Sequence, residues 1–197
     1  MKTEYEAKFL NVDIDDMRQK LQAVDARLEK PMRMMRRVTI DTDDLKKKNA
    51  FLRVRDEGDR VTLTYKQFDS LSVDGAKEHE IIVSDFDETI ALLAAIGLPY
   101  RSFQESKRET WVRDDVEIVI DQWPWLKPYI EIESSSESKL KDFCEKLELK
   151  WEEAVFGDVM AAYRAQYPHL SEKDTIGNIA EVGFDDPLPD LLKARII

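Results

Sequence analysis

The sequence predicts an α+β fold in which an eight-stranded antiparallel β-barrel, a tunnel in outline, is flanked by helices. Three observations carry this. Eight segments read as strands, a few amphipathic helical segments fall between them, and charged residues recur at alternate positions on strand after strand. With 197 residues, 43% of them hydrophobic, one domain can bury a sizeable core.

The elements follow in order. In "MKTEYEAKFL" a strand would place Tyr5, Ala7 and Phe9 on one face and Glu4, Glu6 and Lys8 on the other. "VDIDDMRQKLQAVDARL" carries Met17, Leu21, Val24 and Leu28 at helical steps behind an Asp13 N-cap. Strands are expected at about 33–42, 50–56, 60–68 and 76–84, with "DEGD" as a tight hairpin link. A helix in "DFDETIALLAAIGL" groups Phe86, Ile90, Leu93 and Ile96 and stops at Gly97. Strands at about 101–113, 115–123 and 128–134 complete the sheet, the first two joined by "RDD". Ser134 and Glu137 form an S-x-x-E capping pattern for a helix bearing Leu140, Phe143 and Leu147, and "DVMAAYRAQY" is a further short helix. From Ser171 the pattern breaks, so residues 1–170 read as the domain and 171–197 as an extended C-terminal segment packed on its surface or partly flexible.

Composition narrows the function classes. A net charge of -11 argues against nucleic acid and anionic membranes as partners. No run is long enough for a membrane span, so a soluble cytoplasmic protein is expected. Cys144, the single cysteine, excludes a disulfide within the chain and a cysteine zinc site, and reads as core. "KKK" at 46–48 is a solvated loop. His79 alternates away from Glu78 and Glu80, and neither it nor His169 is assigned chemistry. Trp123, Trp125 and Tyr129 read as aromatic packing.

The alternating charge carries the chemistry. Arg53 and Arg55 alternate with Leu52 and Val54; Thr62, Thr64 and Lys66 alternate with Val61, Leu63 and Tyr65. Glu78 and Glu80 repeat the opening pattern, Glu117 and Asp121 flank Val119, and Glu131 and Glu133 alternate with Ile130 and Ile132. Periodicity alone does not separate a solvated sheet face from a lined interior. A lined interior would hold a polyphosphate through Arg and Lys, Arg being the better fork for phosphate oxygens, and a divalent metal through carboxylates.

In order along the chain, "EYEAKF", "FLRVRDEGDRVTLTYK", "KEHEIIV", "KRETW", "VIDQWPW" and "YIEIE" resemble the CYTH superfamily, the triphosphate tunnel metalloenzymes, over about Met1 to Tyr167. The resemblance implies an eight-stranded tunnel with its charges pointing inward and a triphosphate substrate bound with Mg²⁺ or Mn²⁺. It implies Glu4, Glu6, Glu131 and Glu133 as metal ligands. Lys8, Arg53, Arg55, Lys66 and Arg108 become triphosphate contacts, with Arg37 as a further candidate. Glu78, Glu80 and Asp121 would line the tunnel, one or more of them helping to hold a second metal or orient a nucleophile. Two departures stand out: Ser106 lies where many relatives carry a lysine, and Trp125 follows "WP" where related chains often have Gly. Three activities fit the resemblance. They are hydrolysis of tripolyphosphate, thiamine triphosphate or a nucleoside triphosphate; class IV adenylyl cyclase chemistry; and triphosphate sensing without turnover. A homodimer is the assembly to consider.

Overall fold

The computed structural model describes residues 1–193, the last four residues of the predicted extension lying outside them. Among the described residues nine strands and five α-helices follow one another: β1 (Lys2–Leu10), α1 (Ile14–Ala23), β2 (Arg27–Ile40), α2 (Asp43–Lys46), β3 (Ala50–Asp56), β4 (Val61–Phe68), β5 (Ala76–Val83), α3 (Phe86–Ala95), β6 (Ser102–Arg113), β7 (Val116–Trp123), β8 (Leu126–Ser134), α4 (Glu137–Lys146), α5 (Val159–Gln166) and β9 (Glu181–Val182). The sheet order is β2-β3-β4-β5-β1-β8-β7-β6-β9, and pairing of β2 with β6 closes the first eight strands into an antiparallel barrel. β9 lies outside the ring, parallel to β6.

The apolar faces of the strands point outward, against helices. α1 and α4 cover β1, β7 and β8 through Met17, Leu21, Leu140 and Phe143, which pack on Ala7, Ile118, Ile130 and Ile132. Phe86 and Leu93 of α3 cover Val38, Ile40 and Val54. Near α5, Met160 and Tyr163 gather Trp123 and Tyr129 with Ile176, Val182 and Leu192 of the tail. Leu140 is fully buried, so Leu140→Ala should cost about 2–5 kcal/mol in urea unfolding with the m-value unchanged.

Several elements depart from the sequence reading. α1 ends at Ala23, and Leu28 is exposed on β2. Asp25 takes a φ of 57°, Asp25 N–H donates to Gln22 O and Ala26 N–H to Leu21 O, a Schellman closure that turns the chain into β2. β2 begins at Arg27 because Pro31 is absorbed by register shifts between Leu28 and Arg33 on β6. The N-cap of α4 is Ser136, which accepts from Lys139 N at 3.4 Å, while Ser134 ends β8. Ile96 is the exposed C-cap residue of α3, and Gly97 at φ 87° closes that helix as expected. The tail is not merely extended: it includes 3-10 turns at Ile176–Asn178 and Asp190–Leu192 and inserts three residues into the α5 cluster.

Candidate functional site

Closing the barrel with its apolar faces outward turns the charged faces in, and this decides between the two readings of the alternation. Two connected cavities, of about 150 and 220 Å³, fill the tunnel and share Glu6, Arg53, Lys66, Arg108 and Glu131. The signs are segregated. Arg108 on β6, Arg37 on β2, Arg53 and Arg55 on β3 and Lys66 on β4 line four adjacent strands, with Arg60 at the start of β4. On the other four, Glu78 and Glu80 stand on β5, Glu4 and Glu6 on β1, Glu131 and Glu133 on β8, and Glu117 on β7. One cation crosses to the acidic half. Lys8 pairs with Glu131 at 2.6 Å and Glu6 at 3.3 Å.

The register explains the pairs. Lys66 lies opposite Glu78 on the β4–β5 ladder, and its ammonium reaches Glu4 at 2.9 Å and Glu6 at 3.2 Å. Glu6 faces Glu133, and Lys8 faces Glu131, across β1–β8. Arg108 faces Asp121 across β6–β7 and donates to both of its carboxylate oxygens, at 2.7 and 2.6 Å. Asp121 itself is buried behind Arg108 and does not line either cavity, so it acts on the tunnel through that arginine. Arg53 donates to Thr64 at 3.2 Å, and Thr64 to Glu80 at 2.8 Å. The Nε–H groups of Arg53 and Arg55 are buried without a partner, donors that an oxyanion would satisfy.

Burial and crowding set the protonation equilibria. Burial lifts the Glu4 carboxyl to about 7, against the pull of Lys66 and with Glu78 adding to the rise. Burial, then the neighbouring Arg53, lowers Arg37 to about 9 and Arg55 to about 10. Burial opposes the charge on Lys66, but Glu6 and Glu4 outweigh it and raise the ammonium above its usual value. Burial likewise opposes ionisation of Glu131, yet Lys8 and Arg108 hold it low.

The donor chemistry fits a hard divalent cation. Glu4, Glu6, Glu131 and Glu133 offer oxygen donors from adjacent strands, and Glu4 lies close enough to Glu78 to suffer like-charge crowding that a cation relieves. Among the described residues, no three His, Cys, Asp or Glu groups already converge in ligand geometry. Lys8 and Lys66 hold the carboxylates in their place.

Sequence reasoning missed a charge behind the lining. Glu57, buried and outside both cavities, follows Arg53 and Arg55 into the hairpin, where Arg55 reaches it at 2.6 Å and Arg60 at 2.9 Å. Burial alone would raise its carboxyl; Arg55 and Arg60 outweigh that and hold it at about 2. Since its ordinary value is 4.5, this stabilisation is fully present above about pH 4.5 and is lost as pH falls through about 2. The stability gap between wild type and Glu57→Gln, on the order of 2–3 kcal/mol near neutrality, should therefore narrow on acidification below pH 4.5 in denaturant titrations. The far end of the tunnel is more apolar: Phe51, Phe68, Trp123 and Tyr129 meet Met160 of α5 and Ile176 of the tail. Arg37 lies over Trp123 there, 4.2 Å from the ring centroid, and donates to Gln104 at 2.9 Å. Two neighbours point outward, Arg36 to Asp56 and Lys107 over Phe184. His79 and Cys144 fall where the sequence placed them, on an exposed outer face and in the core. Trp125 lies in the β7–β8 turn at φ 60° and donates its indole N–H to Asp186 O at 3.1 Å, packing with the tail.

Comparison with known proteins follows the same outline. A CYTH domain model matches residues 2–157. No match is found among curated proteins. Among solved structures, the PH1012 protein of Pyrococcus horikoshii OT3 aligns with a TM-score of 0.66 at 20% identity, over 77% of this chain and 93% of its own. A proposed adenylate cyclase from Vibrio parahaemolyticus aligns with a TM-score of 0.69 at 12% identity, over 81% of this chain and 96% of its own. HpAC1 from Hippeastrum, a proposed adenylyl cyclase described as having a dominant triphosphatase activity, aligns with a TM-score of 0.52 at 14% identity, over 83% and 96%. At these identities the likeness is one of fold. No helix among the described residues is long and apolar enough to cross a membrane.

Proposed function

This chain belongs to the CYTH family, and on that premise we propose that it is a divalent-metal-dependent enzyme that binds a triphosphate inside the tunnel and hydrolyses it. The observation that supports this reading is the segregation of charge: a cationic half-wall and a carboxylate half-wall face each other across one enclosed space. Arg53, Arg55, Arg108 and Lys66, with Lys8 and Arg37, would grip the phosphate oxygens and spread the charge that develops on them. Glu4, Glu6, Glu131 and Glu133 would hold Mg²⁺ or Mn²⁺, which supplies charge neutralisation and a more acidic bound water. Glu78 and Glu80, on the acidic half beside Thr64 and Lys66, would orient the attacking water and take its proton. Asp121 would act as a positioning residue, holding the Arg108 guanidinium flat.

A second reading, the adenylyl cyclase, draws on the apolar end of the tunnel. Phe51, Phe68, Trp123 and Ile176 would suit a ring carried by an organic triphosphate better than bare phosphate. The same grip would then serve attack by the ribose 3′-hydroxyl on the α-phosphorus. Product analysis separates the two. Protein incubated with tripolyphosphate, thiamine triphosphate or ATP and Mg²⁺ or Mn²⁺ should release orthophosphate on the first reading. Cyclic AMP with pyrophosphate from ATP would replace it by the second, and no product from any of the three would remove both.

A further inference from the structure

Glu57 is a carboxylate in the wall of the cationic half, outside both cavities and buried among four cations. Arg55 lies 2.6 Å from it, Arg60 2.9 Å, Lys30 3.8 Å and Arg33 3.9 Å. Four cations converging on one buried carboxylate make an anion site whose anion is supplied by the chain itself. That site lies in line with the proposed phosphate contacts, since Arg53, Arg55 and Glu57 follow one another at every second position. Arg55 and Arg60 also line the tunnel cavity directly. The opposite end sets apolar Met160, Ile176 and Trp123 beside Arg37, whose guanidinium already lies over Trp123 and donates to Gln104.

We propose that Glu57 sets the length of phosphate chain the tunnel accepts, its carboxylate engaging from behind the Arg55 and Arg60 groups that a fourth phosphate would otherwise take. This specificity role rests on the triphosphate reading of the same site. A longer chain reaching this end meets donors already engaged and a fixed negative charge beside them. Glu57→Gln keeps the side-chain size and removes that charge, leaving Arg55 and Arg60 free to donate to an added phosphate.

The test is calorimetric titration of the full chain with inorganic tripolyphosphate and with tetrapolyphosphate in the absence of divalent cation, so that turnover does not consume the ligand, phosphate release with Mg²⁺ being followed in parallel. Wild type should favour tetrapolyphosphate by less than fivefold in Kd despite its greater charge, and Glu57→Gln should shift the ratio toward tetrapolyphosphate by at least fivefold. A purely structural role for Glu57 would weaken both ligands together and leave the ratio alone. A shift smaller than fivefold overturns the proposal. So does a wild-type preference for tetrapolyphosphate above fivefold, a result that needs no variant to fold. Wild type binding neither ligand would instead overturn the triphosphate reading, and this inference with it.

Discussion

Glu6→Gln should leave a folded protein whose kcat is lower by on the order of a thousandfold or more. Glu6 stands where the two cavities meet, touches both Lys8 and Lys66, and faces Glu133 across β1–β8. Removing its charge takes away a proposed metal ligand and one of the carboxylate partners of both Lys8 and Lys66. Arg53→Gln should cost less, on the order of 10- to 100-fold, because Arg55, Arg108 and Lys66 still line the tunnel. Steady-state rates, with circular dichroism to verify folding, make the comparison. Equal activity in Glu6→Gln and wild type would contradict the assignment.

The largest effect on stability is expected at Arg108. Its two hydrogen bonds to Asp121 are made inside the barrel wall, where Asp121 is 1% exposed. Arg108→Leu strands that carboxylate without its partner and should destabilise the fold by about 3–5 kcal/mol, besides removing a proposed phosphate contact. Replacing both residues by Leu should recover much of the loss, because no unpaired charge is then left behind. Urea unfolding of the two single variants and the double variant measures this coupling directly. Additive losses would show that the pair is not the unit described here.

Why some of this was legible in the sequence and some was not has a physical basis. A period of two locates strands and splits each into two faces, so Glu4, Glu6, Arg53, Arg55, Glu131 and Glu133 could be grouped from their spacing. Which face turns inward depends on closure of β2 on β6, a pairing between distant segments that local patterning does not contain. The ordered motif set supplied that choice. Glu57 escaped notice because "DEGD" reads as a solvated hairpin, and only the cations arriving from β2 and β4 bury it. The strand expected from about 33 begins at Arg27 because register shifts on β6 accommodate Pro31, and among three consecutive serines the S-x-x-E spacing pointed to Ser134 where Ser136 caps α4. Ile176 and Val182 lie in a stretch without periodicity, since they fill a cluster singly rather than as the face of an element.

Whether the two half-walls enclose a triphosphate is tested most directly by a crystal structure of the protein with tripolyphosphate and Mg²⁺ or Mn²⁺. Phosphate oxygens are expected against Arg53, Arg55, Arg108 and Lys66, with a cation held by carboxylates of the opposite half. Tripolyphosphate bound on the outer surface, or a tunnel in which Lys8 and Lys66 keep their present carboxylate partners and no phosphate enters, would contradict this.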